Sequence, residues 1–64
     1  MKTVINNTNG FKNIVELREV LRPKGHVQIR FLTEWEHAKR DGSEQLQYEL
    51  VLSPSQLKNL KDLL

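Results

Sequence analysis

Two histidines, His26 and His37, are the side chains of this sequence best suited to acid–base or nucleophilic chemistry. An imidazole activates a serine only when a third group holds the ring in the right orientation beside it. Ser53 has the clearest local context among the serines, but it directly precedes Pro54 in a pattern typical of a helix start, where its hydroxyl acts as a cap. The sequence therefore predicts no catalytic residue and a protein that is not an enzyme.

The carboxylates of Glu34, Glu36 and Glu49 come nearest to a metal site. Glu36 and His37 are adjacent, so on a strand they point to opposite faces and do not form a pair of ligands. Sites for hard cations also draw carbonyl ligands from loops, which strands do not supply. The chain has no cysteine, and its three glycines are isolated rather than gathered in a phosphate-binding loop. We therefore predict no metal and no cofactor.

Length and composition indicate one small domain, residues 1–64. The apolar pair Val4 and Ile5 is far shorter than the roughly 7–15 apolar residues of a signal peptide, and no run approaches the ~18 of a membrane span. A chain without cysteine suits a reducing compartment. The net charge of +2 is too small to indicate nucleic acid by itself. We expect a cytoplasmic protein that does not bind membranes.

The C-terminal segment predicts an amphipathic helix. Ser53 and Gln56 form a capping box around Pro54, which suits the first helical position. Leu57, Leu60 and Leu64 then recur at helical spacing. The helix is therefore expected to start after Ser53 and to turn its leucines towards a core.

Residues 26–36 and 44–52 are rich in strand-forming side chains and flank Asp41-Gly42, a favoured hairpin turn. A two-residue turn there would place Trp35 opposite Tyr48, Glu34 opposite Glu49, and Lys39 opposite Glu44. One face of this hairpin is then almost wholly apolar and the other polar, interrupted by a pair formed by Leu32 and Val51. The members of the apolar face are Val27, Ile29, Phe31, Thr33, Trp35, Leu46, Tyr48, Leu50 and Leu52.

The first third of the chain allows two interpretations. Ile14, Leu17 and Leu21 have helical spacing and Pro23 would end the helix, so we predict a helix at about residues 11–22, with Val4 and Ile5 in a short edge strand. The alternative is a first hairpin of residues 3–7 and 11–15 that turns at Asn9-Gly10.

These elements predict an α+β domain of two layers in the order β-α-β-β-α. Its antiparallel hairpin or sheet would be packed on one face by two helices. The opposite, polar face would stay open.

A short chain without catalytic residues acts by contact. The first hypothesis is a small binding protein that regulates or inhibits a macromolecular partner, of a kind common in bacteria and their phages. Its acidic sheet face would dock on a basic surface of a partner protein. The predicted contact residues are Glu34, Glu36, Glu49, Leu32 and Val51.

Two alternatives stay open. A small nucleic-acid-binding regulator would use the basic hairpin tip and the basic end of the predicted first helix. Its contact residues would be Lys39, Arg40, Arg18, Arg22 and Lys24. The other alternative is a structural subunit whose main property is the formation of a homodimer.

Overall fold

The computed structural model describes residues 1–39 and 42–64 and shows four strands followed by one helix. The strands are β1 (Lys2–Thr8), β2 (Phe11–Glu19), β3 (Val27–Trp35) and β4 (Gln45–Leu52), and the helix is α1 (Pro54–Leu63). All strands are antiparallel and lie in the sheet in the order β1-β2-β3-β4, so each pairs with its neighbours along the chain. The α+β class is confirmed, whereas the second helix and the order β-α-β-β-α are not found.

The predicted helix at residues 11–22 is wrong, and the alternative hairpin is present. Asn9 and Gly10 have φ values of 54° and 83°, the left-handed conformation that a tight hairpin turn of this type requires at both positions. Phe11 directly follows the turn and is paired with Thr8. The strand continues to Glu19, longer than the hairpin alternative proposed.

The helical spacing in this segment comes from a strand that has apolar side chains on both faces. Ile14 lies on one face and is 4% exposed, while Val15 and Leu17 lie on the other and are half-buried. Leu21, which completed the helical pattern, follows the strand and is 92% exposed. A strand with both faces partly covered loses its alternation, and its pattern then imitates that of a helix.

The hairpin of β3 and β4 has the predicted strands but a different register. Phe31 faces Tyr48, Ile29 faces Leu50 and Val27 faces Leu52, a displacement of four residues from the predicted pairing. Because the displacement is even, most side chains keep their predicted faces. A bulge at residue 47 moves Leu46 to the polar face. The predicted turn was Asp41-Gly42, and Asp41 lies outside the described residues.

Helix α1 begins as predicted. The Ser53 hydroxyl accepts a hydrogen bond from the backbone amide of Gln56, and the Gln56 side chain accepts one from the Ser53 amide. Leu57 and Lys61 line a groove of about 630 Å³ together with Leu17 and Val27, so the helix lies over that end of the sheet. Within the described residues, no helix has the length and apolar character needed to cross a lipid bilayer.

The two faces of the sheet differ in character. We call the face under α1 the helix face, and among the described residues its one buried side chain is Ile29. The opposite charged face has an apolar row, Val4, Ile14, Leu32 and Leu46, with ion pairs on both sides. Ile14 and Leu32 are buried in that row at 4% and 6% exposure. The core is therefore divided between two thin layers.

Candidate protein-contact surface

All four aromatic side chains of the chain lie on the helix face, beyond the end that α1 covers. They are Phe11, Phe31, Trp35 and Tyr48, which we call the aromatic surface. Their exposed fractions are 45%, 39%, 45% and 62%. Aromatic residues usually supply most of a small core. Here they supply an open surface.

The aromatic surface consists of two ring pairs, each formed by cross-strand neighbours. Phe11 and Trp35 face one another across β2 and β3, with ring centroids 5.2 Å apart. Phe31 and Tyr48 face one another across β3 and β4, with centroids 6.3 Å apart. Four residues separate the two pairs along β3, a distance of about 13 Å. The surface is therefore wide enough to meet a folded partner over several strands.

Gly10 positions the Trp35 ring. A β-carbon added at Gly10 would lie 2.4 Å from Cζ3 of Trp35, so the indole packs directly against the backbone of the β1–β2 turn. The backbone amide of Glu36 donates a hydrogen bond of 2.9 Å to the carbonyl of Gly10 and joins the two segments there. The ring is thereby held in place on one side and exposed on the other.

The side chains between the two ring pairs are polar and uncharged. Gln47 Nε2 donates a hydrogen bond of 2.9 Å to Thr33 Oγ1. Asn13, which faces Thr33 across the strands, donates one of 2.7 Å to Asn6 Oδ1. These groups satisfy one another and leave no charge in the middle of the aromatic surface.

Comparison with known proteins gives no relative from which a function could be transferred. No family model, curated protein or solved structure matches this chain. The case for a function therefore rests on the chemistry of the surfaces themselves.

The predicted acidic cluster is not brought together. Glu49 faces Arg30 rather than Glu34, and its Oε2 lies 3.5 Å from Arg30 Nε. Glu34 faces Lys12, whose Nζ lies 3.8 Å from Glu34 Oε1, and accepts a hydrogen bond from Ser43. The predicted pairing of Glu34 with Glu49 is therefore wrong, and β2 and the changed register supply a cation to each.

The third carboxylate of that prediction, Glu36, lies in the turn after β3. It accepts a hydrogen bond of 2.7 Å from Asn7 Nδ2, and its other oxygen is 3.2 Å from His37 Nε2. The predicted apolar pair of Leu32 and Val51 is also divided, since Leu32 is buried opposite Leu46 while Val51 is half-exposed opposite Gln28. Whether any of these residues binds a partner stays a prediction.

Glu16 is the centre of the ion pairs on the charged face. Its Oε1 lies 3.0 Å from Arg30 Nη1 and 3.1 Å from Arg18 Nε. Burial of the Glu16 side chain opposes its charged form, but the hydrogen bond from Arg30 and the charges of Arg18, Arg30 and Lys2 outweigh it and lower the pKa of Glu16. The carboxylate is therefore charged at neutral pH and neutralised by its own chain.

A further ion pair joins the two edges of the sheet across the charged face. Lys2, in the first strand, contacts Glu44, which directly precedes the last strand. Four strands side by side span about 14 Å, so this contact requires a sheet that is twisted and curved towards the charged face. Lys39, the predicted partner of Glu44, is an exposed residue of the β3–β4 connection.

The cations predicted to bind nucleic acid lie at opposite ends of the sheet. Arg22 and Lys24 are exposed in the connection between β2 and β3, and Arg18 is the next-to-last residue of β2, near that connection. Lys39 follows β3 at the other end, about 30 Å away along the strand. Arg40 lies outside the described residues. The described cations therefore form no continuous basic surface.

The two histidines are separated in the same way. His26 precedes β3 and His37 follows it, so they do not share a site. No three residues among histidine, cysteine, aspartate and glutamate are grouped to hold a metal ion in the part of the chain that the structure describes.

Sequence reasoning placed Phe31, Trp35 and Tyr48 on one face but assigned them to the core. A signal against that assignment was available in the lengths of the elements. A helix of ten residues extends about 15 Å, whereas a strand of nine extends about 30 Å, so the C-terminal helix alone covers half of the face. The rings were assigned to the core because the predicted second helix was expected to cover the rest of this face.

Proposed function

We propose that this chain is a small non-enzymatic binding protein of the cytoplasm whose aromatic surface contacts a partner protein. The observation that carries the proposal is the exposure of all four aromatic side chains on one sheet face. Tryptophan, tyrosine and phenylalanine are enriched at protein interfaces, and tryptophan and tyrosine contribute a large share of binding free energy there. The paired rings also offer a large apolar area with few rotatable bonds to immobilise on binding.

The charges of the sheet favour a protein over a nucleic acid. The strand cations Lys2, Lys12, Arg18 and Arg30 lie on the charged face, each beside a carboxylate. Single-stranded nucleic acids bind to aromatic platforms when cations on the same side track the phosphates. Within the described residues, the strands place no lysine or arginine on the helix face, so a phosphate backbone gains little there.

The proposed mechanism is occlusion. The chain would cover a functional surface of its partner and so regulate or inhibit it, with the two ring pairs as the apolar part of the contact and the neutral polar groups between them as its hydrogen-bonding part. Contacts from Glu34, Glu36 and Glu49 to a basic partner remain a second prediction, because each would first have to exchange a partner within its own chain.

Affinity capture from extracts of the native cell tests the proposal. Phe31→Thr with Tyr48→Thr removes one ring pair while keeping strand-forming residues, and we expect recovery of the partner to fall by about tenfold or more. Val51→Thr is the matched control, since Val51 is half-exposed on the same strand but on the charged face, and it should retain the partner.

Two results would contradict this contact site. Partner capture that survives loss of the ring pair but fails with Glu49→Lys would favour the acidic face instead. Binding of single-stranded DNA that weakens steeply with salt and requires Lys39 and Arg40 would favour the nucleic-acid alternative.

A further inference from the structure

The chain exposes more surface than its mass accounts for. Its accessible area is 5365 Å², whereas a compact monomer of 7.5 kDa exposes about 4,200 Å². Its radius of gyration is 13.5 Å, against about 10.7 Å for a compact chain of this length. Only Ile14, Ile29 and Leu32 are buried apolar side chains in the described residues. The monomer therefore exposes about 1,100 Å² more surface than a compact domain of the same mass.

This excess is the size of a protein interface. A stable complex of standard size removes about 800 Å² from each partner. The charged face is a poor candidate for that contact, because the Lys2–Glu44 pair and the ion pairs of Glu16 and Arg30 already close it. The aromatic surface, on the other face of the sheet, offers four exposed rings for it.

The absence of charge within the aromatic surface suits a copy of the same chain. A two-fold contact places the same patch on both sides, so any charge near the axis meets a charge of its own sign. The groups between the ring pairs are amides and hydroxyls from Asn13, Thr33 and Gln47, which donate and accept hydrogen bonds equally well. Such a patch is complementary to itself, whereas the charged face is not.

We infer that a second copy of this chain occupies the aromatic surface when no partner protein is present, in a symmetric dimer. The inference rests on the proposed function, since it assigns the same surface. Self-association and partner binding are then mutually exclusive, so the partner must dissociate the dimer to gain access. The effective affinity for the partner is lowered by the fraction of chains held in dimers.

Sedimentation of the purified chain from about 1 µM to 1 mM tests the inference. We expect the mass to rise from 7.5 kDa to about twice that value with concentration. Trp35 is the chain's one tryptophan and is 45% exposed, so its fluorescence should shift to shorter wavelength over the same range.

Tyr48→Glu places a charge in the patch of both copies, and it should weaken dimerisation by about 30-fold or more. Val51→Glu, on the opposite face of the same strand, should dimerise as the unmodified chain does. Phe11→Thr tests the other ring pair and should also weaken the dimer. Strand content of each variant is checked by circular dichroism.

A chain that stays at 7.5 kDa up to 1 mM overturns the inference. Dimerisation that Tyr48→Glu and Phe11→Thr leave unchanged overturns it as well. Neither result contradicts the proposed function. That proposal fails instead if the variant with Phe31→Thr and Tyr48→Thr still captures the partner.

Discussion

Gly10 controls the geometry of the aromatic surface without belonging to it. Its positive φ completes the β1–β2 turn, and its missing side chain admits the Trp35 ring. The two requirements are physically separate, because one concerns backbone conformation and the other the space above the backbone. Gly42 also has a positive φ, but the space where its side chain would lie is open. The backbone effect and the steric effect can therefore be measured separately.

Gly10→Ala is expected to destabilise the fold by about 2–4 kcal/mol. The left-handed backbone accounts for about 1–2 kcal/mol of this, and displacement of the Trp35 ring accounts for the rest. Gly42→Ala is the matched control, since Gly42 has φ 78° but no atom within 4 Å of an added β-carbon. Urea unfolding followed by Trp35 fluorescence measures both. Equal losses for the two variants would show that the indole does not depend on Gly10.

At the scale of elements, sequence reasoning succeeded where a signal was local. The capping box at Ser53 located the start of α1, and alternation located β3 and β4 to within a residue. It failed for β2, because side chains on both faces of that strand are partly covered. The register of β3 and β4 was wrong by four residues, since it was derived from a turn rather than from contacts with β2.

The candidate site was predictable only in part, because the face of a side chain is a local property and its exposure is not. Alternation fixes which face a side chain lies on, so Phe31, Trp35 and Tyr48 were grouped correctly. Exposure depends on what covers the face, and that is a property of other elements. The assignment of Phe11 to a helix removed a fourth ring from the group.

Helix α1 is expected to depend on its cap more than on its packing, since none of its residues is buried. Ser53→Ala should raise the rate of hydrogen exchange of the first-turn amides by about fivefold, the equivalent of a cap contribution of about 1 kcal/mol. Strand amides should be unaffected. Ser55→Ala is the control, because the Ser55 hydroxyl contacts the Ser53 hydroxyl at 3.2 Å and caps no amide. A similar effect of both changes would count against the capping box.

At the scale of the whole molecule, the proposed dimer would link stability to association through the large exposed area. A monomer with three buried apolar side chains in its described part has little free energy of unfolding to lose. Burial of the aromatic surface in the proposed dimer would add to the free energy of unfolding by mass action. If the dimer forms, the melting temperature and the oligomeric state are two measurements of one equilibrium.

The melting temperature should rise by several degrees between about 10 µM and 500 µM protein, because folded chains are withdrawn into dimers. Tyr48→Glu should remove this dependence, and Val51→Glu should keep it. Circular dichroism in cells of different path length gives both concentrations under the same conditions. A melting temperature independent of concentration in the unmodified chain would contradict the link.

The pairing of each strand with its neighbours along the chain also determines when the proposed binding surface forms during folding. Contacts between adjacent hairpin strands are local, so a meander of this kind closes short loops and avoids the slowest steps of β-sheet folding. The aromatic surface, however, takes its rings from β2, β3 and β4. A chain in which β2, β3 or β4 is unpaired has one ring pair at most, and only a chain in which all three are paired presents both. Recognition of this surface by a partner would therefore select chains whose sheet is complete.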